Sequence, residues 1–166
     1  MTVMERAGQP GDGDERSITV GWLRFHRDAL AAKCDGLTPE QLVLRPSPPS
    51  KLSLLGLVRH LTEQERVCGY ALGAHAKLHF VYGEYTDDGP EWDFDADVSM
   101  VAESFVNWRR ENHATDAVIG TITDLAAKGP SARSARWSLQ KLVGEYARHN
   151  GHADMLRERI DGATGE

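Results

Sequence analysis

The chain has 166 residues, enough for one domain with a sizeable core and with little room for two. Its 40% hydrophobic and 27% charged residues exclude a disordered chain, and a net charge of −6 excludes a broad basic footprint for nucleic acid or an anionic membrane surface. No apolar run approaches the roughly 18 residues of a membrane span, and Cys34 and Cys68 cannot make a disulfide framework, so a reducing cytoplasm is the expected location.

Residues 1–16 are broken by Gly and Pro, lack the apolar stretch of a signal peptide, and read as a flexible lead-in to a domain over 17–166. From residue 17 to about 35, Val20, Leu23, His26 or Arg27, Leu30 and Ala31 recur at helical steps until Gly36. Thr38-Pro39-Glu40-Gln41 is a compact helix start: Thr38 caps, Pro39 fits the first helical position, and Gln41 completes a capping box. Pro46, Pro48 and Pro49 keep that helix short. Ser53 opens a longer helix to about residue 78, with Leu54, Leu57, Val58, Leu61, Cys68 and Leu72 on one side.

Residues 83–97 form an acidic, turn-rich loop. Asp97 is the expected cap of the next long helix, and Val101, Phe105, Trp108, Val118, Ile122 and Leu125 carry its pattern to about residue 128. Gly129-Pro130 turns the chain, and a last helix spans about 135–160 before Gly162. No strand-like alternation competes. The expected fold is all-α, a four-helix bundle whose acidic loop is long enough for a crossover between the second and third long helices.

The last helix carries the densest chemistry, Glu145-Tyr146-Ala147-Arg148-His149-Asn150-Gly151-His152. Leu139, Leu142, Tyr146, Ala153, Leu156 and Ile160 define its buried face, with His149 inside it. At about 100° per residue, Glu145 falls about 40° and His152 about 60° to the same side of His149. Glu and His four residues apart can give one divalent metal a carboxylate oxygen and an imidazole nitrogen, or can be a simple surface pair. His60, within Leu57-Val58-Arg59-His60-Leu61, is the best third ligand from another helix, although the angular count puts it on the flank of the apolar face. A hydrogen-bonded boundary histidine is the competing reading there.

His26, His75, His79 and His113 read as solvated or boundary residues. Cys34, at a helix C-terminus, and Cys68, on an apolar face, read as unreactive. Phe105, Trp108 and Trp137 read as core, while Trp92 and Phe94 are candidates to line a pocket. No phosphate loop or nucleophile elbow is present.

Three stretches are similar to the DinB-like superfamily: Cys34-Asp35-Gly36-Leu37-Thr38, Ser53-Leu54-Leu55-Gly56-Leu57-Val58-Arg59-His60-Leu61, and Glu145 through Gly162. Within it the chain resembles the mycothiol S-transferase branch, from about residue 17 to the end and excluding the acidic loop. The resemblance implies a four-helix bundle with one long crossover and a divalent metal, Zn²⁺ or Ni²⁺, held by His60, Glu145 and His149. His152 is implied as an alternative ligand or a donor beside the site; in the mechanism expected here, His152 or Arg148 positions the thiol's carboxylate or helps move its proton. It further implies a low-molecular-weight thiol, mycothiol, as cosubstrate for an electrophilic small molecule, and a homodimer. Lys141 and Gly144 depart from the family, where a His and often a Glu are expected. Those departures keep a second reading in view, a non-catalytic metal- or small-molecule-binding stress protein. A nuclease is disfavoured by the acidic balance.

Overall fold

A computed structural model of the chain describes residues 7–83 and 94–164. Among them the regular structure is all-helical: α1 (Glu15–Cys34), α2 (Pro39–Leu42), α3 (Leu54–Leu72), α4 (Val101–Thr121) and α5 (Ala135–Asp161). A short 3-10 turn, Val98–Met100, leads into α4. No described helix is long and apolar enough to cross a membrane.

The helix starts are written in short polar side chains. Asp14 accepts the Ser17 N–H at 2.7 Å, Ser53 the Gly56 N–H at 3.1 Å, and Ser134 the Trp137 N–H at 3.2 Å. Each replaces a partner that a helix N-terminus otherwise lacks. The reciprocal Thr38–Gln41 box is present around α2. Asp97 caps the 3-10 turn, so α4 begins one turn later than its cap suggests.

Both helix ends that differ from the sequence pattern have a physical cause. α3 stops at Leu72, short of residue 78, because Gly73 takes a left-handed conformation (φ 99°) and turns its N–H back on Gly69 and Tyr70. α4 stops at Thr121, not residue 128, where the Arg16 guanidinium donates to the carbonyls of Ile119 and Ile122. Leu125 still packs against the core, but from a turn. At the other end of the chain, α1 begins within the expected lead-in, and the Ala7 N–H reaches back to Asp28 at 2.8 Å.

Cross-helix contacts set the helix directions. α1 and α5 run the same way, tied by Glu15–Arg136 near their starts and by Arg157 on the carbonyls of Lys33 and Asp35 near their ends. α3 and α4 also run together, through Arg59–Ser104 and Arg66–Glu111. α3 opposes α5, pairing Cys68 with Ser138, Gln64 with Lys141 and His60 with Glu145.

Leucines from α1, α3 and α5 form the core with Trp108 and Tyr146. Through it runs a buried polar chain. The Arg27 guanidinium grips both oxygens of Glu65 at 2.8 Å, the Tyr146 hydroxyl donates to Glu65 Oε1 at 2.8 Å, and Trp108 Nε1 donates to the Tyr146 oxygen at 2.8 Å. Burial, then the Glu65 charge, holds the Tyr146 phenol protonated well above its usual range. Removing one member of such a buried pair would leave the other charge buried without its partner.

Candidate metal centre

The expected inner face of α5 is buried as the helical period requires, and His149 lies within it at 7% exposure. Because α3 opposes α5, His60 meets Glu145 and His149 across the helix pair. One ligand atom from each of His60, Glu145 and His149 lies within 4.8 Å of the other two. Glu145 Oε2 stands 3.7 Å from His60 Nε2 and 3.6 Å from His149 Nε2. These separations exceed hydrogen-bond length. They are close to the roughly 3.3 Å between ligand atoms that each sit about 2.0–2.1 Å from a tetrahedral zinc.

The donor chemistry fits as well. Two imidazole nitrogens and one carboxylate oxygen suit Zn²⁺ and its neighbours, and three protein ligands leave a coordination position for a substrate. Burial, with His60 and His152 nearby, pushes the His149 pKa down to about 4, so its ring is neutral at physiological pH, as a metal ligand must be. Burial opposes ionisation of Glu145, but the Lys141 hydrogen bond and charge, together with His60 and His149 nearby, lower its pKa. Both changes favour the ligand forms.

Phe94 closes one side. Its ring stacks on His60 at 4.6 Å and 14°, and lies 6.2 Å from His149. The loop approaches this closely because residue 56 is glycine: a Cβ there would stand 2.7 Å from the Phe94 carbonyl oxygen. Phe94 thus borders the site as the sequence suggests, while Trp92 lies outside the described residues.

His152 is set behind His149. Its Nδ1 lies 3.3 Å from His149 Nδ1, whereas His149 turns Nε2 toward Glu145. Arg148 is exposed and is not one of the triad, but its charge is near enough to help lower the His149 pKa. Lys141 does reach the site: its ammonium donates to Glu145 Oε1 at 3.1 Å and to Gln64 Oε1 at 2.7 Å. Gln64 carried no signal in the sequence, since its partner is on another helix.

The remaining candidates divide. Cys34 and Cys68 are buried, and burial pushes the Cys34 thiol up to about 12 and Cys68 upward too, so neither supplies a thiolate. His79 and His113 are exposed. His26 is half-buried, stacked on Trp22 and touched by Asn150. His75 is not the solvated residue that its place near a helix end suggests: its Nε2 lies 3.2 Å from buried Glu111, which Arg66 and Arg110 also contact. Trp137 is no core residue either. It is 46% exposed, walling a shallow groove beside Cys68 and Lys141 and carrying Arg133 over its ring.

No curated protein and no solved structure matches this sequence. A family model described as Mycothiol-S-transferase does match, over residues 19–162, a span that contains His60, Glu145 and His149. The chain belongs to that family, within the DinB-like group.

Proposed function

We propose that the chain is a metal-dependent thiol S-transferase that joins a low-molecular-weight thiol, mycothiol, to an electrophilic small molecule. The observation that carries this reading is the convergence of His60, Glu145 and His149 from two helices on one point. These three residues would hold a divalent metal, Zn²⁺ or Ni²⁺. When bound, it supplies Lewis acidity that makes a thiolate available at neutral pH.

The chain's own residues supply the rest. Glu145 contributes the negative charge that offsets part of the cation's charge, and His149 and His60 contribute neutral donors. With His152 Nδ1 accepting, the His149 proton sits on Nδ1 and the lone pair of Nε2 faces Glu145. His152 thereby acts as the acceptor that holds His149 in the ligand tautomer, and the proton that the thiol gives up passes to solvent. Arg148, near enough for its charge to help lower the His149 pKa, is the group for a carboxylate of the thiol. Phe94 covers His60 and keeps water off that face. The thiol sulfur forms the new bond to the electrophilic carbon, whose leaving group or added proton completes the balance.

The same reading places these helices in a four-helix bundle of DinB-like type, with the connection from α3 to α4 as the crossover, and expects a homodimer working in the cytoplasm. A second reading, a metal- or small-molecule-binding stress protein without turnover, rests on Lys141 and Gly144 standing where the family is expected to carry a His and often a Glu. One experiment separates the two. Zinc-loaded protein incubated with mycothiol and monochlorobimane should form the conjugate, and a chelator or His149→Ala should stop it. One equivalent of bound zinc with no conjugation would establish the binding protein instead.

A further inference from the structure

Lys141 stands one turn before Glu145 on α5, and Gln64 one turn after His60 on α3. The Lys141 ammonium bridges the two helices, donating to Gln64 Oε1 at 2.7 Å and to Glu145 Oε1 at 3.1 Å. The Glu145 carboxylate is therefore divided. Oε1 is held by Lys141, and Oε2 points to His60 and His149 at 3.7 and 3.6 Å. A glutamate without such a partner can swing toward solvent or turn both oxygens onto a cation.

We propose that Lys141, itself held by Gln64, is a positioning residue that fixes Glu145 as a one-oxygen ligand and keeps the remaining coordination position open for the thiol. The inference rests on the reading that His60, Glu145 and His149 hold a metal.

Two effects of Lys141 oppose each other. Its positive charge repels a divalent cation, while its hydrogen bond orients a ligand. The side chain is 39% exposed, so solvent and salt screen the repulsion. Orientation of a ligand by its hydrogen-bond partner is short-ranged, unscreened, and worth about 10–100-fold in metal affinity. Orientation wins. An ammonium suits the task because it has three donors, one for each of the two oxygens it touches and one left for water. A histidine at this position would have only two ring nitrogens to serve the same contacts.

The test is zinc affinity of the full-length chain, measured by competition with a chromophoric chelator, beside the melting midpoint of the metal-free protein. Lys141→Met should weaken zinc binding about tenfold and hardly move the metal-free midpoint, since an exposed ion pair contributes little to folding. Lys141→Arg, which keeps a cationic donor, should recover most of that loss. Gln64→Ala should weaken binding in the same direction by less, and combining it with Lys141→Met should add nothing, because both act through one contact. Zinc affinity in Lys141→Met equal to or above that of the parent chain would overturn the proposal, as would Lys141→Arg binding as weakly as Lys141→Met. His149→Ala distinguishes the two levels: undiminished zinc binding there defeats the metal triad itself, whereas a normal Lys141→Met defeats only the positioning role.

Discussion

Glu65 and Glu145 are both acids facing the interior of the same pair of helices, and they are treated in opposite ways. Glu65, on α3, is fully buried, and both of its oxygens are taken up by the Arg27 guanidinium, with the Tyr146 hydroxyl added. Glu145, on α5, is 22% exposed and has one oxygen on Lys141 and the other facing two imidazoles beyond hydrogen-bond distance. The first carboxylate has its charge answered within the fold, so it can only hold the helices in place. The second has a charge that the protein answers in part, at the one point where two nitrogen ligands also converge. Completeness of pairing separates the structural acid from the candidate metal ligand.

The largest effect should come from breaking the saturated acid. Arg27→Ala leaves the Glu65 charge buried and without its guanidinium, and should destabilise the metal-free protein by about 3–5 kcal/mol in urea titrations. The incomplete acid should respond to metal instead. Zinc at a free concentration of about 100 times its dissociation constant should stabilise the parent chain by about 2.7 kcal/mol and leave His149→Ala unmoved.

An effect of similar size should appear with pH. His149 in the folded chain takes a proton only near pH 4, against 6.5 for an ordinary histidine, because burial disfavours the charged ring. Between those values the unfolded chain binds that proton and the folded chain does not. The metal-free protein should therefore lose stability as pH falls from 6.5 through 4, with no contribution from this group above 6.5. His149→Ala should show a shallower decline across that window in urea midpoints. Least of all, Gly144→Ala should stabilise the protein by about 1 kcal/mol without changing zinc affinity, since an added Cβ meets no atom within 4 Å. A change in zinc affinity there would extend the functional region beyond the ligands.

Much of this was legible in the sequence because helical period carries burial. Counting along α5 puts Leu139, Leu142, Tyr146, His149 and Ala153 on one face, and all are buried. Glu145 at four residues from His149 follows from the same geometry. The misread parts depend on tertiary partners or on one backbone conformation. Leu125 has the right spacing to extend α4, yet Arg16 from α1 takes the carbonyls that end it. Gly73 is a visible stop signal that the apolar pattern beyond it masks. His75 cannot be told from a solvated histidine until Glu111 arrives from α4. Gln64 and Lys141 belong to the same class, meeting only when α3 and α5 are set antiparallel.

The central claim, that Glu145 is the unsaturated acid of a metal triad, is tested most directly by anomalous diffraction from crystals of zinc-loaded protein. The account predicts one strong zinc peak about 2.0–2.1 Å from His60 Nε2, Glu145 Oε2 and His149 Nε2, with Lys141 still on Oε1. A zinc peak bound by His152 in place of Glu145, or no peak at the triad at all, would contradict it.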